Sequence, residues 1–248
     1  MRLENSFLPV TGVGQTTERR LWDAGVLHWD EFDGQVVGST LSDRIEDYIA
    51  SARPHLERGD LGPLAGDLPN RSRWRLLENA GARTCYLDIE TTGLDPTHNQ
   101  VTTVTTHMDD ETETLVADRH DVPRGLRETL SDASLLVTFN GARFDVPFLE
   151  QSYDIDLSVP HLDLLGPCRR LGLEGGLSAV EAAVGCERAL SDLDGRDAIR
   201  LWHRYEAGDE AALETLVAYN REDTVNLEAV AEAVSQRLED QVFGSVVG

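Results

Sequence analysis

Lysine is absent from this chain. All 22 basic residues among its 248 are arginine, set against 45 aspartates and glutamates, for a formal net charge of −23. Cysteine is scarce too: Cys85, Cys168 and Cys186 stand too far apart in sequence for a zinc clamp or a redox pair. Their scarcity makes a reduced, cytoplasmic setting the simplest expectation. Also missing is any apolar run approaching the ~20 residues of a membrane span. The opening MRLENSFLPV lacks the basic-then-apolar pattern of a signal peptide. Neither an internal repeat nor a low-complexity tract occurs. What is present is 40% hydrophobic residues, enough to bury a core, in a chain long enough for one large domain or one ordinary domain with a small accessory.

Acid excess without lysine resembles the composition of proteins from salt-in halophiles. In dilute buffer a charge of this size argues against a polyanionic partner. At about 1 M salt the Debye length falls to ~3 Å, so net charge is screened and local contacts decide. The acidity therefore leaves nucleic acid open as a substrate.

Along the chain, residues 1–50 read as a small helical region. Thr16 and Thr17 can start an amphipathic helix that Gly25 ends, and a second helix is expected over 42–50. Residues 51–83 are richer in Pro, Gly and Arg, with six arginines against four acids, and read as a linker or arm. From 84 to 240 the pattern is that of one α/β domain. Strands are expected at 85–90, 101–108, 112–117, 135–139 and 161–164, the second and third joined as a hairpin through Asp109-Asp110-Glu111. Helices are expected at 124–130, 144–151, 177–184, 196–206, 210–219 and 223–238. Pro147 is tolerable only near the first turn of its helix. This order gives a mixed five-stranded sheet flanked by helices.

Three segments carry the chemistry. In Tyr86-Leu-Asp-Ile-Glu-Thr-Thr-Gly93, strand alternation points Asp88 and Glu90 to one face while Leu87 and Ile89 bury the other. Adjacent carboxylates repel unless protonated or neutralised by cations, and a divalent metal is the usual remedy. In Phe139-Asn-Gly-Ala-Arg-Phe-Asp-Val-Pro-Phe-Leu149, Asp145 lies at a helix N-terminus, where its charge is favoured. In Tyr219-Asn-Arg-Glu-Asp223, Tyr219 and Asp223 are four residues apart and share a helix face. Taken singly, each has a plainer reading: an edge strand with solvated acids, a helix cap, or a surface tyrosine above an acid.

Together, in this order and with this kind of spacing, they resemble the DEDD (DnaQ-like) exonucleases of the RNase H-like fold. The tract Asp194-Gly-Arg-Asp-Ala-Ile-Arg-Leu-Trp-His-Arg-Tyr-Glu-Ala-Gly-Asp209, running on to Tyr219-Asn220, more narrowly resembles the YprB-type family. The likeness covers roughly residues 74–238. It implies that Asp88, Glu90, Asp145 and Asp223 hold two Mg²⁺ or Mn²⁺ ions, and that the chain hydrolyses DNA or RNA from a 3′ end, releasing 5′-mononucleotides. The histidine subtype would need His where Ala218 stands, so the tyrosine subtype is matched, although many YprB-like sequences carry His at or near this place. An unperturbed tyrosine, with a pKa about 10, is a poor base, so Tyr219 is expected to orient the attacking water. By the same resemblance Thr92 and Asn140 are carried as nucleic-acid contacts. Asp163 is weighed as a site-lining acid against a helix cap.

Two further stretches bear on binding. Arg71, Arg73 and Arg75 interleave with Trp74, which suits phosphate contact with base stacking as well as it suits a tryptophan packed on a core. The turn Gly12-Val13-Gly14 before a helix resembles a helix-hairpin-helix, whose backbone N–H groups can hold a phosphate. Its alternative is that Leu21, Trp22, Val26 and Trp29 simply pack this segment onto the nuclease domain. His28, His107 and His203 show no ligand spacing and read as structural. A membrane partner is not expected. The competing functions are a non-catalytic nucleic-acid-binding module and a structure-selective endonuclease on the same fold.

The charge yields a first prediction. Self-repulsion among so many acids destabilises the folded chain in dilute buffer, and salt relieves it. The melting temperature should rise from low KCl to about 1 M KCl, where screening reaches ~3 Å; a flat or falling curve by circular dichroism would contradict the halophile-like reading.

Overall fold

Runs of β-branched and apolar residues form the strands, and alternation shows in the burial mainly around Asp88 and Glu90. The computed structural model describes residues 1–244 and 246. It divides the chain into a helical unit, Met1–Gly81 with the residues from Ser235 on, and a sheet unit, Ala82–Val234.

The sheet unit is built on β1 (Thr84–Thr91), β2 (Val101–Met108), β3 (Glu111–Val116), β4 (Leu135–Thr138) and β5 (His161–Asp163). They lie in the order β3-β2-β1-β4-β5. The first three form an antiparallel meander, while β4 and β5 run parallel to β1. This is the mixed five-stranded sheet expected. The β2–β3 turn is two residues long, with Asp109 and Asp110 both left-handed at φ 52 and 63, the geometry that matches the twist of a tight hairpin.

One sheet face is apolar. Cys85, Leu87, Ile89, Val104 and Leu115 pack with Val122, Leu126 and Leu130 of a helix over Val122–Asp132 and with Phe148 and Leu149 of a helix over Asp145–Tyr153. On the other face, Val116 packs with Ala198, Leu201 and Trp202 of the Gly195–Glu206 helix and with Leu213, Leu216 and Tyr219. The last three belong to one helix, Glu210–Glu239, of 30 residues. Two helices, 210–219 and 223–238, are expected here from sequence, and one continuous helix is found. Asn220, Arg221 and Glu222 include neither proline nor glycine, and nothing there breaks the ladder. A short helix at Leu165–Arg170 was not expected. No helix among the described residues is long and apolar enough to cross a membrane.

In chain order the helices are α1 (Gln15–Asp23), α2 (Ser39–Arg58), α3 (Gly62–Asp67), α4 (Leu77–Ala80), α5 (Val122–Asp132), α6 (Asp145–Tyr153), α7 (Leu165–Arg170), α8 (Leu177–Val184), α9 (Gly195–Glu206) and α10 (Glu210–Glu239).

In the helical unit, the stretch 51–83 read as a linker or arm is mostly ordered helix. α2 continues through Pro54 to Arg58 and ends on left-handed Gly59. Leu61, Leu64, Trp74 and Leu76 are buried. The helix-hairpin-helix reading meets a missing first helix: only a three-residue 3-10 turn, Leu3–Asn5, precedes Gly12 and Gly14. Gly12 is left-handed at φ 98, whereas Gly14 is the extended N-cap of α1. Leu21, Trp22, Val26 and Trp29 are all buried. Trp74 is 2% exposed and offers no ring face to a base. Arg73 is half-buried and Arg71 exposed.

Arg75 holds this unit together. Its guanidinium bridges both carboxylate oxygens of Glu18 at 2.8 and 3.1 Å and donates to Ser6 Oγ at 2.5 Å. It lies over the rings of Trp22 and Trp74. Glu18 also accepts the backbone N–H groups of Phe7 and Leu8. Both charges are at most 2% exposed. Removing one member leaves the other buried and unpaired, at a cost of about 3–5 kcal/mol. Urea unfolding of Glu18→Ala should show that loss, whereas Glu18→Ala with Arg75→Met should recover part of it; equal losses would mean that the pairing itself contributes little.

Candidate functional site

β1 brings Asp88 and Glu90 to the face opposite Leu87 and Ile89, both half-buried. The β1–β2 register shifts by one residue between Glu90 and Thr91, a bulge that ends the regular pairing just past Glu90. From α10, Asp223 reaches the same place. One carboxylate oxygen from each of Asp88, Glu90 and Asp223 lies within 4.8 Å of the others.

Asp145 is not part of that triplet, yet it raises the proton affinity of both Asp88 and Glu90. Its position depends on the turn after β4. Asn140 adopts φ 64, and a side chain on Gly141 would collide with Thr138 Oγ1, so this turn needs glycine there. Asp163 then fastens the turn, accepting from the N–H groups of Asn140, Ala142 and Leu165 at 2.8, 3.1 and 2.9 Å. Asp163 thus serves the turn and the N–H of the first residue of the Leu165–Arg170 helix, while its charge also raises the proton affinity of Asp145. The backbone N–H groups of Asp145 and Ile89 favour the charged form of the Asp145 carboxylate, and the charge of Asp163 opposes them.

Electrostatics follow from this crowding. Burial is the largest cause throughout, and it pushes Asp88 well above the usual carboxylate range, with repulsion from Asp145, Asp223 and Glu90 adding to it. Burial and then repulsion from Asp223 and Asp145 raise Glu90 to about 8. Asp145 is raised to about 7, again mainly by burial. Asp223 reaches about 6, because Arg188 offsets part of its burial. Burial, and then the charges of Asp223 and Glu90, raise the Tyr219 phenol above its ordinary value, so it keeps its proton.

Several neighbours were invisible to the motif reading. Asn220 is fully buried; its amide donates to Asp88 Oδ2 at 2.7 Å while its oxygen accepts from Thr105 Oγ1 at 2.6 Å. Thr105 in turn bonds Thr114 at 2.8 Å. Arg188, on the loop between α8 and α9, contacts Asp223 and lies over the Tyr219 ring. Asn220 stood beside Tyr219 in the motif and could have been found by helix spacing. Arg188 had no local signal.

The expected nucleic-acid contacts are scattered. Thr92 is half-buried, and its hydroxyl accepts from Gln100 N–H at 3.0 Å, closing the loop after β1. Leu94 on that loop is 84% exposed. Asn140 sits in the left-handed turn. Gly12, Gly14, Arg71, Arg73 and Trp74 belong to the helical unit. His28, His107 and His203 bond to neighbouring backbone or side-chain groups, as structural histidines do.

Three carboxylates converging from two elements, with no cation among them except Arg188 on Asp223 among the described residues, are hard-oxygen donors suited to a divalent ion.

Comparison with known proteins places residues 85–235 in a family model described as the RNase H superfamily. No curated protein sequence matches the chain. Among solved structures, it is similar to the family B DNA polymerase of the hyperthermophilic archaeon Pyrobaculum calidifontis, at 17% identity and a TM-score of 0.46 over 61% of this chain. It spans only 27% of that polymerase. It is also similar to a structure described as the apo form of the nuclease, at 19% identity and a TM-score of 0.47, covering 66% of this chain and 77% of the other.

The raised carboxylates give a pH prediction. Unfolded, a glutamate titrates near pH 4.3; folded, Glu90 titrates near 8. Between those values the folded chain binds a proton that the unfolded chain does not, so stability is full below about 4.3 and is lost as pH rises through 8. In EDTA and fixed molar KCl, Glu90→Gln should match wild type at pH 4 and melt higher at pH 8.5, by about 2–4 °C for each kcal/mol relieved. A variant that melts lower than wild type at pH 8.5 would refute this account of the cluster.

Proposed function

The chain belongs to the RNase H superfamily, and from that premise we propose that it is a metal-dependent 3′–5′ exonuclease of the DEDD type, close to the YprB-type family, acting on DNA or RNA in the cytoplasm. The observation that carries this reading is the meeting of Asp88, Glu90 and Asp223 within 4.8 Å. Four carboxylates with raised proton affinity are an unstable arrangement without cations, and a divalent ion relieves it.

Asp88, Glu90, Asp145 and Asp223 are the proposed ligands for two Mg²⁺ or Mn²⁺ ions. Bound there, such ions acidify a water and neutralise charge developing on a phosphate. The rest falls to the chain's own groups. Asn220 fixes the rotamer of Asp88 by donating to one oxygen, which leaves the other free. The amide is held in that orientation by Thr105. Tyr219, kept protonated, is a hydrogen-bond donor and not a base; it aligns Asp223 and the attacking water.

A strand labelled at its 5′ end should shorten in single-nucleotide steps with Mn²⁺ in high KCl, and a covalently closed circle should survive. Asp88→Asn and Asp223→Asn should abolish the steps without loss of melting temperature. Tyr219→Phe should slow single-turnover hydrolysis on the order of 10²–10³-fold, as loss of one positioned donor does, while KM changes little. Cutting of the circle would replace this reading with an endonuclease, and tight binding without hydrolysis would leave a non-catalytic module.

A further inference from the structure

Arg188 is a cation built into a cluster that the proposed chemistry fills with metal. Its loop is pinned to α10, where the Glu222 carboxylate accepts the N–H groups of Ala189 and Leu190. The side chain is 8% exposed, and its two prongs are used differently. Nη1 donates at 2.5 Å to Glu181, a fully buried carboxylate that belongs to α8 and not to the acidic triplet. Glu181 is held from its other oxygen by Asn226 at 3.0 Å. Nη2 contacts Asp223. The guanidinium also lies 5.6 Å from the centre of the Tyr219 ring.

A cation needed only to neutralise Asp223 would require no second anchor. The anchor on Glu181 keeps the guanidinium in place whatever happens at Asp223. We propose that Arg188 is a phosphate-binding residue of this site, which holds Asp223 in the metal-free protein and turns to the substrate's phosphate once Asp223 serves a metal. The inference rests on the nuclease reading above. With Asp223 committed to a divalent cation, Nη2 would lose its acceptor while Nη1 stays on Glu181. The result is a fixed N–H donor beside Tyr219, in a cluster whose four carboxylates otherwise repel a phosphate diester. Guanidinium suits the task because one plane carries donors to two acceptors at once, which an ammonium cannot do in this geometry.

Binding measurements on the full chain test this without relying on turnover. Removing Arg188 alone would strand Glu181, so the variants are Arg188→Lys and the double substitution Arg188→Ala with Glu181→Gln, in which glutamine keeps a partner for Asn226. Mn²⁺ affinity is read by titration without nucleotide, then AMP and dAMP affinity at saturating Mn²⁺. The double variant should bind Mn²⁺ at least as tightly as wild type and bind both monophosphates roughly ten- to hundredfold more weakly, the usual worth of a charge-assisted hydrogen bond. Lysine should restore only part of that loss. Unchanged AMP and dAMP affinity would overturn the proposal and leave Arg188 as a counter-ion to Asp223. A parallel loss of Mn²⁺ affinity would overturn it as well, by showing that Arg188 merely orders the ligand carboxylate. Wild-type protein that binds no Mn²⁺ would defeat the nuclease reading itself and the proposal with it, a result distinct from the other two.

Discussion

Two like charges two residues apart on β1 are the constraint to which the sheet unit answers. Strand alternation cannot separate Asp88 from Glu90; it puts them on one face and the apolar Leu87 and Ile89 on the other. The apolar face is then free to bury itself under α5 and α6 in the ordinary way. The charged face needs a different covering. Thr105, Thr114 and the buried Asn220 provide it, as a chain of hydrogen bonds that ends on Asp88. Each polar group in that chain has a partner, which is what lets it lie between a sheet and a helix without large cost.

Carboxylates in this region differ in what their oxygens are given to do. Asp163 accepts three backbone N–H groups and is consumed by them. Glu222 is likewise spent on Ala189 and Leu190. Asp88 and Glu90 receive far less compensation, and their raised proton affinity reports the deficit. Asp145 stands between the two cases, buried and repelled by Asp163 but partly compensated by backbone N–H groups. Such a contrast separates structural acids from those left open for a ligand.

The order of strands and helices was readable because β-branched runs and helical spacing are local signals, and the hairpin at Asp109-Asp110 matched its turn chemistry. Asp88 and Glu90 on one face followed from period two alone. That they meet Asp223 was legible only from the joint resemblance of three motifs, since neither strand nor helix periodicity encodes which elements touch. The split of α10 arose from treating a motif as a boundary. Reading 51–83 as an arm gave composition more weight than burial: Arg75 and Trp74 look like a basic patch in sequence, yet a buried glutamate 57 residues away claims the arginine. Arg188 escaped for the same reason, its partners lying 7 and 35 residues distant.

The two buried arginine–glutamate pairs show how a chain without lysine places cations inside. At Arg75 the fork closes on itself: both prongs reach Glu18, the remaining acceptor is Ser6, and two tryptophan rings cover the plane. Nothing at that centre has a competing claim, so it acts as a fixed joint. At Arg188 the fork is divided between Glu181, which is buried and serves only local structure, and Asp223, which belongs to a cluster short of positive charge. A guanidinium shared in this way stays anchored by one prong whichever partner holds the other. The geometry of a single residue type thus supports a static role in one unit and a conditional one in the other. The distinction lies in whether the second carboxylate has anything else to bind.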